Sequence, residues 1–584
     1  MKHGMKNRYE FFELSKIRRR LVLVVILSIF VALFSRAFYV QVIKKDYYQF
    51  EGFKSSNKKI DLPAYRGKIY DRQGKVLAAS APVNSITVYL PVLNEERAKK
   101  GKNKKILKVK LLKLAKLLKM NFSDLDKKLK RKKRGEIVLK RQLDPKTASK
   151  VMALNIKGIT SKKTYKRYYP NDIFSAHAVG LATADGVGKE GIEKFMNTKL
   201  AGKGGSKKVI WDSKERTVGG LGEIVVPVDG KDIHLTIDSR LQEKMYGSLK
   251  KAVDKHEAKS GSAILIDSRT GEVIAMSNFP SYDPNNLTKN QTKFVKNKAL
   301  IDVYEPGSTL KPISISLALE KNLINEKMKF DTKDGKRRIG GRTITDHHPH
   351  GVMTVAQIVQ KSSNVGTTMI FDNDNIKPSD LWGIYHNFGF GSKTGIEFPG
   401  ERKGVHKSYE SWKEIDFYTR TYGYGINGSL AQIVRAYTPF ANEGELMPLT
   451  MIKSAEPVIG KKVLSKMTSN RMLKILEGVI SIDGTAHQAI IPGYRVAGKT
   501  GTARGYDGGY DGTHMASFVG IAPASDPKFI MAVMIHAPTK GGIYGGVMAA
   551  PVFKEVVTEA LKLYSIPQDG LTSPHNGIIA NKVL

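Results

Sequence analysis

Glu305-Pro306-Gly307-Ser308-Thr309-Leu310-Lys311-Pro312, followed by the apolar run Ile313 to Leu319, is the stretch around which the rest of the chain is arranged. Proline and glycine ahead of a hydroxyl residue, then Leu310, Ile313 and Leu317 at helical intervals, predict a loop entering a buried helix with Ser308 in its first turn. Three residues apart, Ser308 and Lys311 share one face, so an amine can approach the hydroxyl. A helix N-terminus favours negative charge developing there. Buried beside a second cation, a lysine loses its proton easily and becomes a base. Ser-x-x-Lys is a frequent pattern in a lysine-rich chain, and Ser55/Lys58 and Ser56/Lys59 match it too. The surroundings have to separate the site from its decoys.

Those surroundings form a domain opening near Val226. Ile233–Thr236 reads as a strand and Ser239–Lys255 as a helix, while Ser262–Asp267 pairs with Glu272–Met276 across a turn at Thr270-Gly271. Helices and loops run to about Ile482. Strands return at Tyr494–Thr502, Ala516–Ile521 and Phe529–Ile535, and a helix closes the domain over Val552–Tyr564. Strands at both ends with helices between them predict an α+β domain, an antiparallel sheet flanked by helices and closed by distant segments.

Acyl transfer needs a nucleophile, a base, a proton relay and donors for an oxyanion. Lys361-Ser362-Ser363-Asn364 follows the amphipathic helix Val355–Val359. It offers a hydroxyl at Ser362 to pass a proton and an amide at Asn364 to hold Lys311 or a carbonyl. In Gly498-Lys499-Thr500-Gly501-Thr502, strand alternation sends Lys499 and Gly501 to one face and Thr500 and Thr502 to the other. Glycine there lets another backbone approach, and an edge strand could pair with a peptide. The decoys fall elsewhere, Ser55-Ser56-Asn57 near the N-terminus and Lys393-Thr394-Gly395 in loop punctuation. His347-His348-Pro349-His350 is expected to be a surface loop, since no carboxylate set stands at ligand spacing, so no metal site is expected.

The chain has 584 residues and a net charge of +42, which suggests an anionic neighbourhood. It has no cysteine, which excludes disulfides, thiolate metal sites and a cysteine nucleophile. Leu21–Ile43, 23 residues behind a basic flank, is long enough to cross a bilayer with Arg36 near its outer end. No small-x-small cleavage site follows, so we expect an uncleaved anchor with the N-terminus in the cytoplasm. The rest of the chain is then extracytoplasmic, which removes nucleic acid as the partner. Between Arg97 and Arg141 about 20 basic residues face three acidic ones, with Leu107, Leu111, Leu114, Leu117 and Leu118 on one helical face. This element reads as a solvated lysine face or as a contact for anionic lipid or wall polymer.

Taken in order, the three elements resemble those of penicillin-binding proteins and class A β-lactamases, except that the middle one is Ser-Ser-Asn in place of Ser-Asp-Asn. The chain resembles class B penicillin-binding proteins along almost its whole length, most closely the FtsI type. Arg66-Gly67 with Asp71-Arg72-Gln73-Gly74, Arg167-Tyr168-Tyr169-Pro170, Gly191-Ile192-Glu193, Tyr282-Asp283-Pro284-Asn285 and Tyr544-Gly545-Gly546 carry the resemblance. Tyr424-Gly425-Ile426-Asn427-Gly428-Ser429 departs from the family pattern.

The resemblance implies a septal peptidoglycan D,D-transpeptidase that acts on stem peptides and is acylated by β-lactams. Catalytic roles would fall to Ser308, Lys311, Ser362, Asn364 and Lys499, and substrate binding to Thr500, Gly501 and Thr502, with no cofactor. It implies an inner-membrane protein working with a polytopic SEDS-type glycosyltransferase and other division proteins. The expected layout is a cytoplasmic tail at 1–20, an anchor at 21–43, a non-catalytic pedestal at 44–225, a transpeptidase domain at 226–569 and a tail at 570–584. An elongation-specific transpeptidase, a carboxypeptidase or β-lactamase, and a non-catalytic scaffold or β-lactam sensor are the alternatives.

Overall fold

The computed structural model describes residues 15–131, 135–211, 217–506 and 510–570. Most of the N-terminal tail and nearly all of the C-terminal tail expected from the sequence lie outside them. The chain divides into two compact units, one of residues 1–64 and 203–228 and the other of residues 65–202 and 229–584.

In the first unit, Lys16–Phe38 is an α-helix that widens into a π-turn over Tyr39–Ile43. Lys16–Ile43 is long and apolar enough to cross a membrane, and none of its apolar window is buried in protein. Asn57–Leu62, Gly205–Trp211 and Thr217–Val225 form a three-stranded antiparallel sheet in the same unit.

In the second unit Ile69–Tyr70 and Val76–Tyr89 form an antiparallel pair of strands. Buried Asp71 shapes the turn between them, its Oδ1 accepting from the backbone N–H groups of Gln73 (2.9 Å) and Lys75 (2.8 Å). The lysine-rich helix Lys102–Leu117 buries Leu111, Leu114 and Ala115, and with Leu118 they join a small core with Ile86, Val88, Leu90 and Leu125. The leucine periodicity therefore marks the inner face of a packed subdomain.

The larger part of this unit is built on a five-stranded antiparallel sheet. Its strands are β1 (Ser260–Asp267), β2 (Val273–Phe279), β3 (Ala497–Tyr506), β4 (Tyr510–Ala522) and β5 (Phe529–His536), in the order β2-β1-β5-β4-β3. β1 and β5 are buried at every position except their last, without the alternation of a half-wet strand, so both faces are covered. Helices α1 (Ser239–Lys255) and α5 (Ala550–Leu563) pack on the sheet and on each other. Between β2 and β3 lie the helices that carry chemistry: α2 (Lys311–Glu320), α3 (Val355–Lys361) and α4 (Asn364–Ile370). As expected, the sheet is closed by segments more than 200 residues apart, and β3 stands at its edge.

Candidate active site

Ser308 lies in a short 3-10 turn, Gly307–Leu310, that leads into α2 at Lys311. The nucleophile candidate thus precedes the α-helix, where a tighter turn was not anticipated. Gly307 makes that turn with φ +56°, and the Tyr437 hydroxyl donates to the Thr309 carbonyl at 2.7 Å from beneath it. All but the last residue of α2 are buried. Lys311 is fully buried, and its Nζ donates to the Ser362 carbonyl (2.5 Å) and Asn364 Oδ1 (2.8 Å), with Ser362 Oγ at 3.4 Å. Ser362 and Asn364, rather than Ser308, therefore hold the amine.

The middle element is a hinge between two helices. Ser362 caps α3 in the left-handed region (φ +62°, ψ +34°), a conformation an L-residue adopts at a cost of about 1 kcal/mol or more. That twist turns its carbonyl and hydroxyl toward Lys311. Ser363 caps α4, its Oγ accepting from the Gly366 N–H at 2.8 Å. Beneath them Asp346, which sequence reasoning missed, accepts from Ser363 Oγ (2.5 Å), Asn364 N (2.5 Å) and Val365 N (3.0 Å). The Ser-Asp-Asn form carries a carboxylate at its middle position; here a carboxylate reaches the same turn from 17 residues upstream.

Alternation along β3 places Thr500 and Thr502 on the cavity wall and turns Lys499 and Gly501 inward. Lys499 Nζ donates to Ser362 Oγ at 2.8 Å and to the Thr500 carbonyl at 3.2 Å. One hydroxyl therefore lies within hydrogen-bonding reach of both buried amines. Gly501 is needed for contact: a Cβ there would lie 2.4 Å from Ser517 Oγ, 2.9 Å from Thr309 Cγ2 and 3.0 Å from the Pro306 carbonyl. A methyl group would push β3 off the Ser308 turn. We expect Gly501→Ala to slow penicillin acylation by about a hundredfold, the effect of misplacing reacting groups by roughly 1 Å, measured as a second-order acylation rate on folded protein.

Burial holds Lys311 down at about 7, against the opposing pull of Asp346. Burial, reinforced by the charge of Lys311, pushes Lys499 well below the usual lysine range. Two ammonium groups around one hydroxyl do not both keep their protons at neutral pH. A base works only when deprotonated, so the acylation rate should rise with pH through about 7 and level off above it. A rate falling tenfold per pH unit below 7 is the expected profile; a flat profile from pH 5 to 8 would exclude Lys311 as the base.

The cavity these groups line has a volume of about 590 Å³. Its wall includes Ser308, Ser362, Asn364, Thr500 and Thr502, together with Tyr424, Thr485, His487, His514, Tyr544 and the Gly545-Gly546 pair. Thr485 Oγ1 lies 2.9 Å from Thr500 Oγ1. The loop His347-His348-Pro349-His350 also lines it, with the His347 ring edge-on to Tyr544 at 5.4 Å. Expected only as surface, these histidines form part of the cavity rim. Gly425 N in the atypical loop donates to Glu305 Oε1 at 2.8 Å, tying that loop to the residues before Ser308. Of the decoys, Lys393-Thr394-Gly395 is a loop whose threonine bonds Glu401, and Ser55 and Ser56 end a helix of the other unit.

A helix-flanked antiparallel sheet, a serine at the mouth of a buried helix and two buried lysines sharing a second serine define an active-serine, penicillin-recognising enzyme. Family models agree. Residues 261–558 match the penicillin binding protein transpeptidase domain and residues 61–235 the penicillin-binding protein dimerisation domain. Probable peptidoglycan D,D-transpeptidase PenA of Neisseria meningitidis is 35% identical over 557 residues, covering 94% of each chain. Peptidoglycan D,D-transpeptidase FtsI of Escherichia coli K12 is 34% identical over 548 residues, covering 93% of this chain and 91% of that protein. The transpeptidase domain of penicillin-binding protein 3 from Burkholderia pseudomallei matches with a TM-score of 0.53 at 40% identity, covering 57% of this chain and 97% of the other. The chain belongs to the class B penicillin-binding proteins, the peptidoglycan D,D-transpeptidase family that includes FtsI and PenA.

Proposed function

We propose that the protein is a septal peptidoglycan D,D-transpeptidase and a target of β-lactams. The observation that supports this is that Ser308, Ser362 and Asn364 line one cavity while the buried amines of Lys311 and Lys499 both bond Ser362 behind its wall. Ser308 Oγ attacks the penultimate D-Ala carbonyl of a stem peptide and its proton passes to Lys311. The N–H groups of Ser308 and Thr502 receive the oxyanion. The C–N bond breaks, Ser362 relays a proton to the departing amine, and terminal D-Ala leaves. An amine of a neighbouring stem then attacks the acyl-serine, gives up its proton to the same base and restores Ser308. Asn364 orients substrate and Lys311, while Lys499, Thr500 and Thr502 take the substrate carboxylate along the edge strand, with Gly501 keeping that strand close.

The proposed layout is a tail at 1–20 in the cytoplasm, an anchor at 21–43, a pedestal at 44–225 and a transpeptidase domain at 226–569 outside the inner membrane, with a tail at 570–584. Partners are a polytopic SEDS-type glycosyltransferase and other division proteins. Incubation with a penicillin, intact-mass measurement and peptide mapping test this reading. One stable adduct on Ser308 is expected. An adduct on another residue, or none on folded protein, would overturn it; rapid release would mark a hydrolase. Depletion producing spheres rather than filaments would assign the enzyme to elongation.

A further inference from the structure

The helix Lys102–Leu117 has seven lysines and no acidic residue. Among the described residues none of the seven pairs with a carboxylate. Lysines three or four apart, such as Lys102/Lys105, Lys104/Lys108 and Lys113/Lys116, repel one another, so the free helix carries an uncompensated electrostatic cost. The face opposite its buried leucines is not purely polar. Val109 is 51% exposed, Ile106 46% and Leu112 44%. Around Val109, positions three away are Ile106 and Leu112, and positions four and seven away are Lys102, Lys105, Lys113 and Lys116. All seven residues therefore share one face, an apolar centre inside a ring of ammonium groups.

We propose that this face docks on an anionic phospholipid surface, with Val109, Ile106 and Leu112 entering the acyl boundary and the four lysines on lipid phosphates. Two observations favour lipid over a soluble polyanion. A phosphate polymer would be held by the lysines alone and gain nothing from three exposed aliphatic side chains, whereas an interfacial helix uses both. The chain also has a helix, Lys16–Ile43, able to cross a bilayer, so a membrane is held at high local concentration by a covalent tether. Docking would fix the pedestal against the bilayer. It is independent of the chemistry at Ser308.

The sequence has no cysteine, so Val109→Cys in the full chain gives a unique site for an environment-sensitive dye. Reconstituted in bilayers containing phosphatidylglycerol, the dye should shift to the blue and be quenched by doxyl-labelled lipid. The combined change of Lys102, Lys105, Lys113 and Lys116 to Gln should lower the docked-to-free ratio by roughly a hundredfold or more. Ile106→Ser with Leu112→Ser should also reduce it. Both sets alter exposed side chains, and an unchanged circular-dichroism spectrum and unfolding temperature report an intact fold. A dye that stays aqueous in anionic bilayers would overturn the proposal. So would an equal response to soluble polyphosphate in neutral bilayers, or a shift unaffected by the two serine substitutions.

Discussion

Lys311→Met should lower the rate of penicillin acylation by about 10²–10⁴-fold, the range spanned by a positioned general base. The substitution keeps a long unbranched side chain in a fully buried slot, so packing changes little. Asn364 Oδ1 and the Ser362 carbonyl lose a donor, but a desolvated amine is removed with it, and the two effects on stability oppose each other. Acylation should therefore collapse while the unfolding temperature moves little. Lys311→Arg separates two explanations. A guanidinium keeps positive charge but cannot be deprotonated in this pH range. If arginine restored acylation, Lys311 would serve as an electrostatic anchor and the base would have to lie elsewhere; no rescue is the expected result. Second-order rates from stopped-flow or quenched labelling, with melting curves on the same samples, decide both points.

Glu193→Ala should destabilise the region that matches the penicillin-binding protein dimerisation domain by about 3–5 kcal/mol, the cost of leaving buried charges without their partner. Glu193 is fully buried between two guanidinium groups. Arg66 Nε donates to Oε2 at 2.7 Å and Arg167 Nε to Oε1 at 2.7 Å. Both arginines are almost wholly buried, and Arg66 also donates to the Glu193 carbonyl at 2.8 Å and to Asn197 Oδ1 at 2.9 Å. Alanine leaves two guanidinium charges in an apolar interior. The measured signs should be a lower unfolding temperature and early tryptic cleavage, with Ser308 still acylated in the cold. Replacing Arg66 and Arg167 by Met together with Glu193→Leu should recover much of the loss, since a buried ion triad gains little over well-packed apolar side chains. A single Glu193→Ala variant as stable as the parent would show that the cluster contributes nothing net.

Several features were legible because they rest on local chemistry. An apolar run of bilayer length, Leu21–Ile43 with Arg36 its one charge, marks the helix Lys16–Ile43, and short apolar runs on either side of the turn at Thr270-Gly271 mark β1 and β2. Helical spacing after Ser308 marks α2. Surroundings set Ser308, Ser362 and Lys499 apart from decoys of the same pattern, and alternation along β3 sorted Thr500 and Thr502 from Lys499 and Gly501. Arg66, Arg167 and Glu193 were quoted as separate signatures; the fold makes them one ion cluster.

What the sequence by itself determined, then, is what neighbouring residues dictate: the anchor, the strands and helices, and the residue types capable of acyl transfer. Tertiary structure alone decided which groups face each other. Asp346 has no motif of its own and acquires a role only because its loop folds beneath the Ser363 turn. The histidines of the 347–350 loop and Thr485 join the cavity only once β3 and the segment at Tyr544 close around it. The proton affinity of Lys311 follows the same rule, because removal from water, the largest influence on it, is contributed by chain segments far from Lys311 in sequence.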